Sequence, residues 1–332
     1  MASSKKVLIL SDGKLGHQNQ SVRLVEKLGI SDYDILTLER RKFGKPLSFI
    51  SPIYIVKNLK ELNQQVKNNS YDLVVGLGSV PRLAMVTLKS RNPDLKTICI
   101  MDPKRNYEYY DVIAVPNHDD VSYKGDNLVR ITGSLSYFYK EDLEVAKEEF
   151  KEEFAPLIEK PLIGLIIGGD SKGYSFTMLK ARDLLDKTLL LSKKIGSKVY
   201  ATTSRRTPES QAAYIKYKIE DSKNEIYTSG KKNPFRAIMG YSSIIIVTPE
   251  TVSMLMESCA TEALTLIADR KGVKSARIQK FIQELIDKGV LFELEEMLYK
   301  DNILEYIEKA KSKPRFNELE KVVDFIKSKN IV

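Results

Sequence analysis

Lys5-Lys6-Val7-Leu8-Ile9-Leu10, running directly into Ser11-Asp12-Gly13-Lys14-Leu15-Gly16-His17-Gln18-Asn19-Gln20-Ser21, is the stretch on which the fold turns. Its apolar run reads as a buried strand. The loop that follows holds two glycines, and apolar Val22, Leu24, Val25 and Leu28 then recur at helical spacing. Strand, glycine-bearing loop and helix together point backbone N–H groups and a positive helix end at a ligand. His17, one of only 2 histidines, sits in that loop. An imidazole at the C-terminal end of the first strand of an open α/β sheet is where proton transfer is expected.

The pattern starts again halfway along. Leu162-Ile163-Gly164-Leu165-Ile166-Ile167 runs into Gly168-Gly169-Asp170-Ser171-Lys172-Gly173. Before it, strands are expected at 34–38, 72–78, 97–103, 112–116 and 128–133, with helices at about 54–67 and from Ser79 onward. After it, strands are expected at 198–202, 225–227, 244–248 and 264–268, and an amphipathic helical tail begins at Ser275. Continuous rather than alternating apolar strands, separated by helices, indicate parallel sheets covered on both faces. The expectation is an α/β protein of two Rossmann-like domains facing across a cleft. A charged helix at 140–153, then Ala155-Pro156 and Lys160-Pro161, marks the boundary. Residues 1–156 would form the first domain and 157–332 the second, with the C-terminal helices packing back on the first.

The 332 residues suffice for two ordinary cores. A net charge of +9 favours anionic partners, although a solvated lysine-rich surface explains it equally well. No zinc-finger spacing, RNA-binding aromatic signature or basic zipper is present, so nucleic acid is not an expected partner. Cys99 and Cys259 lie in apolar runs and read as buried thiols of a reducing compartment. No signal-peptide core or membrane-spanning run occurs. The expected location is the cytoplasm, or the cytoplasmic face of a membrane. The basic cluster Arg40-Arg41-Lys42-Phe43-Gly44-Lys45, followed by Leu47, Phe49, Ile50 and Ile53, is the candidate for contact with an anionic membrane; packing against the sheet is the competing reading.

Gly13-x-x-Gly16-His17 is not the dinucleotide fingerprint, and Gly76-x-Gly78 lacks its third glycine, which argues against nicotinamide chemistry, including nicotinamide-dependent epimerisation. What remains is a loop of Gly13, Gly16, Asn19 and Gln20 that lets a substrate approach the backbone. His17 would there remove a proton from a hydroxyl, with Asp12 orienting the ring. Gly168, Gly169, Ser171 and Lys172 form a diphosphate cradle without the spacing of a P-loop. Thr203, Ser204, Arg205 and Arg206 follow another strand and suit phosphate. Thr248 and Glu250 close a very apolar strand, and Ser253 and Glu257 sit on the helix after it. Glu250 and Glu257, seven apart, share a face if the helix includes both, and a buried carboxylate there suits ribose hydroxyls. No cluster has metal-ligand spacing, so neither a metal nor a cofactor is expected.

These residues resemble a known family. Asp12-Gly13-Lys14-x-Gly16-His17-x-Asn19-Gln20-Ser21, Gly168-Gly169-x-Ser171-Lys172-x-Tyr174, Thr202 to Pro208, Asn233-Pro234-Phe235 and Val247-Thr248-x-x-x-Val252-Ser253-Met254 come in the order of the mitochondrial-fission "elongated mitochondria" family. Its bacterial members are regarded as glycosyltransferases with a GT-B-like fold. The wider pattern is similar to MurG-type N-acetylglucosaminyltransferases, in which a Gly-x-x-Gly-His loop supplies the acceptor-side histidine and a glutamate on a second-domain helix holds the donor ribose. His17 and Glu257 match those places. The chain departs from the family at Gly173, where a histidine is usual, and at Glu250-Thr251, where an Asp-Ser pair is usual. A Gly-Lys-Pro-like turn gives way to Glu262-Ala263, and the C-terminal Trp/Pro-rich segment is missing. The resemblance implies metal-independent, inverting sugar transfer from a nucleotide-diphosphate sugar. The rival expectation is a non-catalytic membrane adaptor, as the plant members are thought to be.

Overall fold

The structure, a computed structural model, describes residues 5–40, 56–228 and 232–332. Of the basic and apolar stretch at 40–55, on which the membrane expectation rests, all but Arg40 lies outside the described residues. The chain divides into two compact units, Met1–Ser136 with Asn317–Val332, and Tyr137–Phe316.

The first unit contains β1 (Val7–Ser11), α1 (Leu15–Lys27), β2 (Tyr33–Thr37), α2 (Leu59–Asn68), β3 (Leu73–Leu77), α3 (Ser79–Arg91), β4 (Lys96–Ile100), β5 (Val112–Pro116) and β6 (Leu128–Ile131). Its strands pair in parallel in the order β2-β1-β3-β4-β5-β6. Every residue of β1, β3 and β5 is buried, as continuous apolar runs require when helices cover both faces. Strand order reverses direction between β1 and β3. The loops at their carboxyl ends therefore run to opposite sides, the arrangement at which open α/β sheets bind ligands.

The second unit contains α4 (Lys140–Glu149), α5 (Lys151–Phe154), β7 (Leu162–Ile167), α6 (Met178–Ile195), β8 (Lys198–Thr203), α7 (Glu209–Asp221), β9 (Glu225–Tyr227), α8 (Phe235–Tyr241), β10 (Ile244–Val247), α9 (Val252–Cys259), β11 (Leu264–Ile267), α10 (Ala276–Asp287), β12 (Phe292–Glu293), α11 (Leu294–Leu298) and α12 (Ile303–Ser312). The sheet is again parallel, in the order β12-β11-β10-β7-β8-β9. Counted from its own first strand this is the doubly wound order 3-2-1-4-5-6, with the switch point between β7 and β10. Caps follow local chemistry. The Thr177 hydroxyl accepts the Lys180 N–H at the start of α6, and Ser275 accepts from Ile278 at the start of α10.

The division falls earlier than residue 156. The charged helix breaks at Phe150 into α4 and α5, and both belong to the second unit. Leu143, Ala146 and Phe154 enter that unit's core, where Phe154 stacks on Tyr200 (4.9 Å) and on Tyr241 (4.8 Å). Proline pairs mark a turn, but buried area decides which core a helix joins. The chain returns to the first unit in α13 (Glu318–Ser328), which packs on α1 and β6 through buried Leu319, Val322, Val323 and Ile326. The Glu318 carboxylate accepts the Thr132 N–H at 3.0 Å. The other C-terminal helices, α10 to α12, stay with the second unit.

Candidate functional site

In the first unit the β1–α1 connection builds an Asp–His pair. α1 begins at Leu15, which places His17 in its first turn. Its Nδ1 lies 3.1 and 3.0 Å from the two Asp12 carboxylate oxygens. Lys14 pairs with the same carboxylate at 3.2 Å. An ionised carboxylate only accepts, so Nδ1 carries the proton and Nε2 presents its lone pair. Partial burial pulls the His17 pKa below 6.5, against the raising effect of Asp12. The ring is therefore a neutral base at pH 7. Gly78, at the end of β3, completes the arrangement. It sits at φ +117°, and a Cβ there would come within 2.7 Å of an Asp12 oxygen. Neither the backbone nor the space admits another residue.

Gly13 on this connection and Gly16 and Asn19 on α1 are exposed. Gln20 is not, contrary to expectation. It is 5 % exposed, donates to the Gly16 carbonyl at 3.0 Å and accepts the Leu135 N–H at 3.0 Å. It ties α1 to the segment after β6 because a buried amide must be paired. His118, beyond β5, is buried as well.

In the second unit the switch point between β7 and β10 is filled by the protein's own carboxylate. Glu250 accepts the Gly169 N–H at 3.1 Å and faces Arg206 Nη2 at 3.4 Å. A Cβ on Gly168 would lie 1.2 Å from Glu250 Oε1, so only glycine lets the carboxylate reach this place. The Gly168 N–H donates to the Thr248 hydroxyl at 2.8 Å. The Glu250 side chain is fully buried, and its Oε2 has no hydrogen-bond partner. Burial raises its pKa, opposed by hydrogen bonds and by Arg206. The Gly168 carbonyl accepts from both the Ser204 and Thr207 hydroxyls. Ser204, expected on phosphate, is thus engaged in holding its own loop. Thr203 is half-buried, whereas Lys172, Arg205 and Arg206 are exposed, Arg206 with its guanidinium turned toward Glu250. Ser171 exchanges backbone hydrogen bonds with Tyr174, which closes the loop after β7 into a tight turn.

Glu250 and Glu257 do not share a helix face, because α9 starts at Val252, after Glu250. Thr251 gives α9 no side-chain cap, so its first-turn amides, at Ser253, point out unsatisfied by the helix. Glu257 is half-buried and has no hydrogen bond among the described residues. Loss of solvation pushes its carboxyl up to about 7, with the Arg236 guanidinium pulling the other way. Arg236, next to Phe235 of the Asn233-Pro234-Phe235 motif, carries no signal of this role in the sequence, and neither does the partnership of Gly78 with Asp12 beyond the glycine-x-glycine at 76–78. Cys99 and Cys259 are free and buried, with thiols pushed up to about 12 by desolvation. Among the described residues no His/Cys/carboxylate cluster suits a metal, and no helix is long and apolar enough to cross a membrane.

Two Rossmann-like units of parallel sheet, each with a strand-order switch point, define a protein with the GT-B type of fold. Solved structures with this architecture include MurG of Acinetobacter baumannii (TM-score 0.52, 15% identity, 98% of this chain and 99% of that one). The UDP-GlcNAc 2-epimerase of Neisseria meningitidis, bound to UDP-GlcNAc, is similar at a TM-score of 0.59 (13% identity, 97% of this chain and 100% of that one). More narrowly, the chain belongs to the family described as mitochondrial fission ELM1, whose model matches residues 15–329. The mitochondrial fission protein ELM1 of Arabidopsis thaliana is 24% identical, over 84% of this chain and 83% of its own.

Proposed function

We propose that the protein is a metal-independent, inverting glycosyltransferase that uses a nucleotide-diphosphate sugar. The observation that carries this reading is the Asp12–His17 pair at the carboxyl end of β1, with a neutral imidazole whose Nε2 is uncommitted. In this reaction Nε2 takes the proton of an acceptor hydroxyl. The oxygen attacks the anomeric carbon, and the bond from that carbon to the diphosphate oxygen breaks with its electron pair leaving on the nucleotide. The second unit holds the donor: ribose at Glu257, base near Ser253, and phosphates at the first-turn amides of α9 and at Ser171, Lys172, Arg205 and Arg206. Preorganised cations and amides stabilise the departing diphosphate without a metal. The acceptor reads as a hydroxyl of a cell-envelope glycan or lipid.

Incubation with a panel of labelled UDP-, GDP- and CDP-sugars and membrane extract tests it. Transfer is expected, falling by roughly 10²–10⁴ in His17→Ala with nucleotide affinity retained. Because the His17 pKa lies below 6.5, kcat/KM should hold at neutral pH and fall only in more acid solution. Asp12 raises that pKa, so Asp12→Asn should move the acid limb lower still while reducing the rate. No transfer and no nucleotide binding would refute the proposal. Interconversion of the sugar without transfer would point to epimerisation.

A second reading has its own support in the Arabidopsis relative, named for mitochondrial fission. As a non-catalytic adaptor at a membrane, the protein would bind no nucleotide sugar, and His17→Ala would leave its cellular phenotype unchanged.

A further inference from the structure

At the amino end of the second sheet, away from the carboxyl-end loops that carry Gly168 and Glu250, lies a cavity of about 160 Å³. Leu264 and Thr265 open β11 at its floor, and Val290, Phe292, Tyr306, Ala310 and Phe316 wall it. The threonine hydroxyls in this wall are already satisfied. The hydroxyls of Thr261 and Thr265 both donate to the Ser258 carbonyl, at 2.8 and 3.1 Å. Buried Cys259 adds a protonated, weakly polar thiol. A pocket of roughly 150 Å³ is large enough for a single ring or a short acyl chain.

The mouth has the opposite character. Lys309, in the last turn of α12, and Lys313, just past its end, line it. Among the described residues neither is paired with a carboxylate. Lys313 donates only to the Gly289 carbonyl at 3.2 Å, and Lys309 lies 5.8 Å from the centre of the Tyr306 ring. Lys311, between them in sequence and not part of the lining, pairs with Glu308 at 2.8 Å. Of Lys309, Lys311 and Lys313, the two without a counter-charge are thus the two that line the cavity.

We propose that this cavity is a binding site for an organic monoanion with a compact apolar body, a medium-chain or aryl carboxylate. The body fills the apolar space and the carboxylate meets Lys309 and Lys313 at the rim. This site is separate from the donor crevice and stands whether or not sugar transfer is found.

Calorimetric titration of the full chain with octanoate, and with 1-octanol as its neutral counterpart, tests it. Octanoate should bind saturably with a Kd below about 1 mM, and 1-octanol about tenfold more weakly. Lys309→Glu with Lys313→Glu should weaken octanoate about tenfold and leave 1-octanol unchanged. Ala310→Trp, which fills the space, should abolish both. Since that variant is large enough to disturb folding, Ala310→Leu provides a check without ligand: filling open space should raise Tm by about 1–4 °C. No saturable octanoate binding, or binding indifferent to both the rim and the filling variants, would overturn the proposal. A lowered Tm in Ala310→Leu would equally deny the open cavity.

Discussion

The carboxyl of Glu257 sits where water is scarce and no hydrogen bond replaces it, so its proton is held until about pH 7. The unfolded chain releases the same proton near 4.5. Between those values the folded state binds more protons than the unfolded one, and stability falls as pH rises. Glu257→Gln removes the penalty. It should stabilise the protein by about 1–3 kcal/mol at pH 8 and change little at pH 4, read from urea denaturation at both. An equal effect at both pH values would mean the carboxyl is solvated. Glu250 poses a different problem, since its carboxylate already occupies the Gly169 amide and faces Arg206. A diphosphate arriving at this crevice meets that charge. Glu250→Gln keeps an oxygen for the Gly169 N–H and removes the repulsion. Titration with UDP should then give a Kd about three- to tenfold lower. An unchanged Kd would mean that the phosphates do not approach Glu250.

At the scale of elements, close approach between helix and strand depends on small residues. Gly164, inside β7, lies under α8, and a Cβ there would fall 2.4 Å from Ser242 Oγ and 2.7 Å from Ile238 Cγ2. Ser242 cannot swing aside freely, since its hydroxyl donates to the Ile238 carbonyl at 2.6 Å. Gly164→Ala should therefore cost about 1–3 kcal/mol, measured by urea denaturation. An unaffected midpoint would mean that α8 can lift off the sheet without loss.

At the scale of the whole molecule, the first unit is finished by the last residues of the chain. α13 covers α1 and β6 with four buried apolar side chains, each worth about 1.5–3 kcal/mol of burial, and supplies the acceptor for Thr132 N–H. Removing 317–332 should lower Tm and lose the first unit's protection in hydrogen exchange, while protection within β7, β8 and β10 persists. Uniform loss would show the two units unfolding as one.

Strand positions and the two glycine-bearing loops were legible in the sequence, because a continuous apolar run and a glycine break are local signals. His17 with Asp12, five residues apart across a strand–helix turn, was legible for the same reason. The boundary was not, since α5 joins a core through Phe154 stacking on residues far along the chain. Nor was the two-residue strand β12, which owes its pairing to β11 rather than to its own composition. The roles of Gln20, Ser204 and Glu250 lay beyond sequence as well, because each is set by a partner from another element. Local propensity and periodicity determine which segments become strands and helices and which loops end up at their carboxyl ends. Which polar groups then remain available to a ligand is decided only by tertiary structure, because a buried donor or acceptor takes whatever partner the fold brings within 3 Å or so.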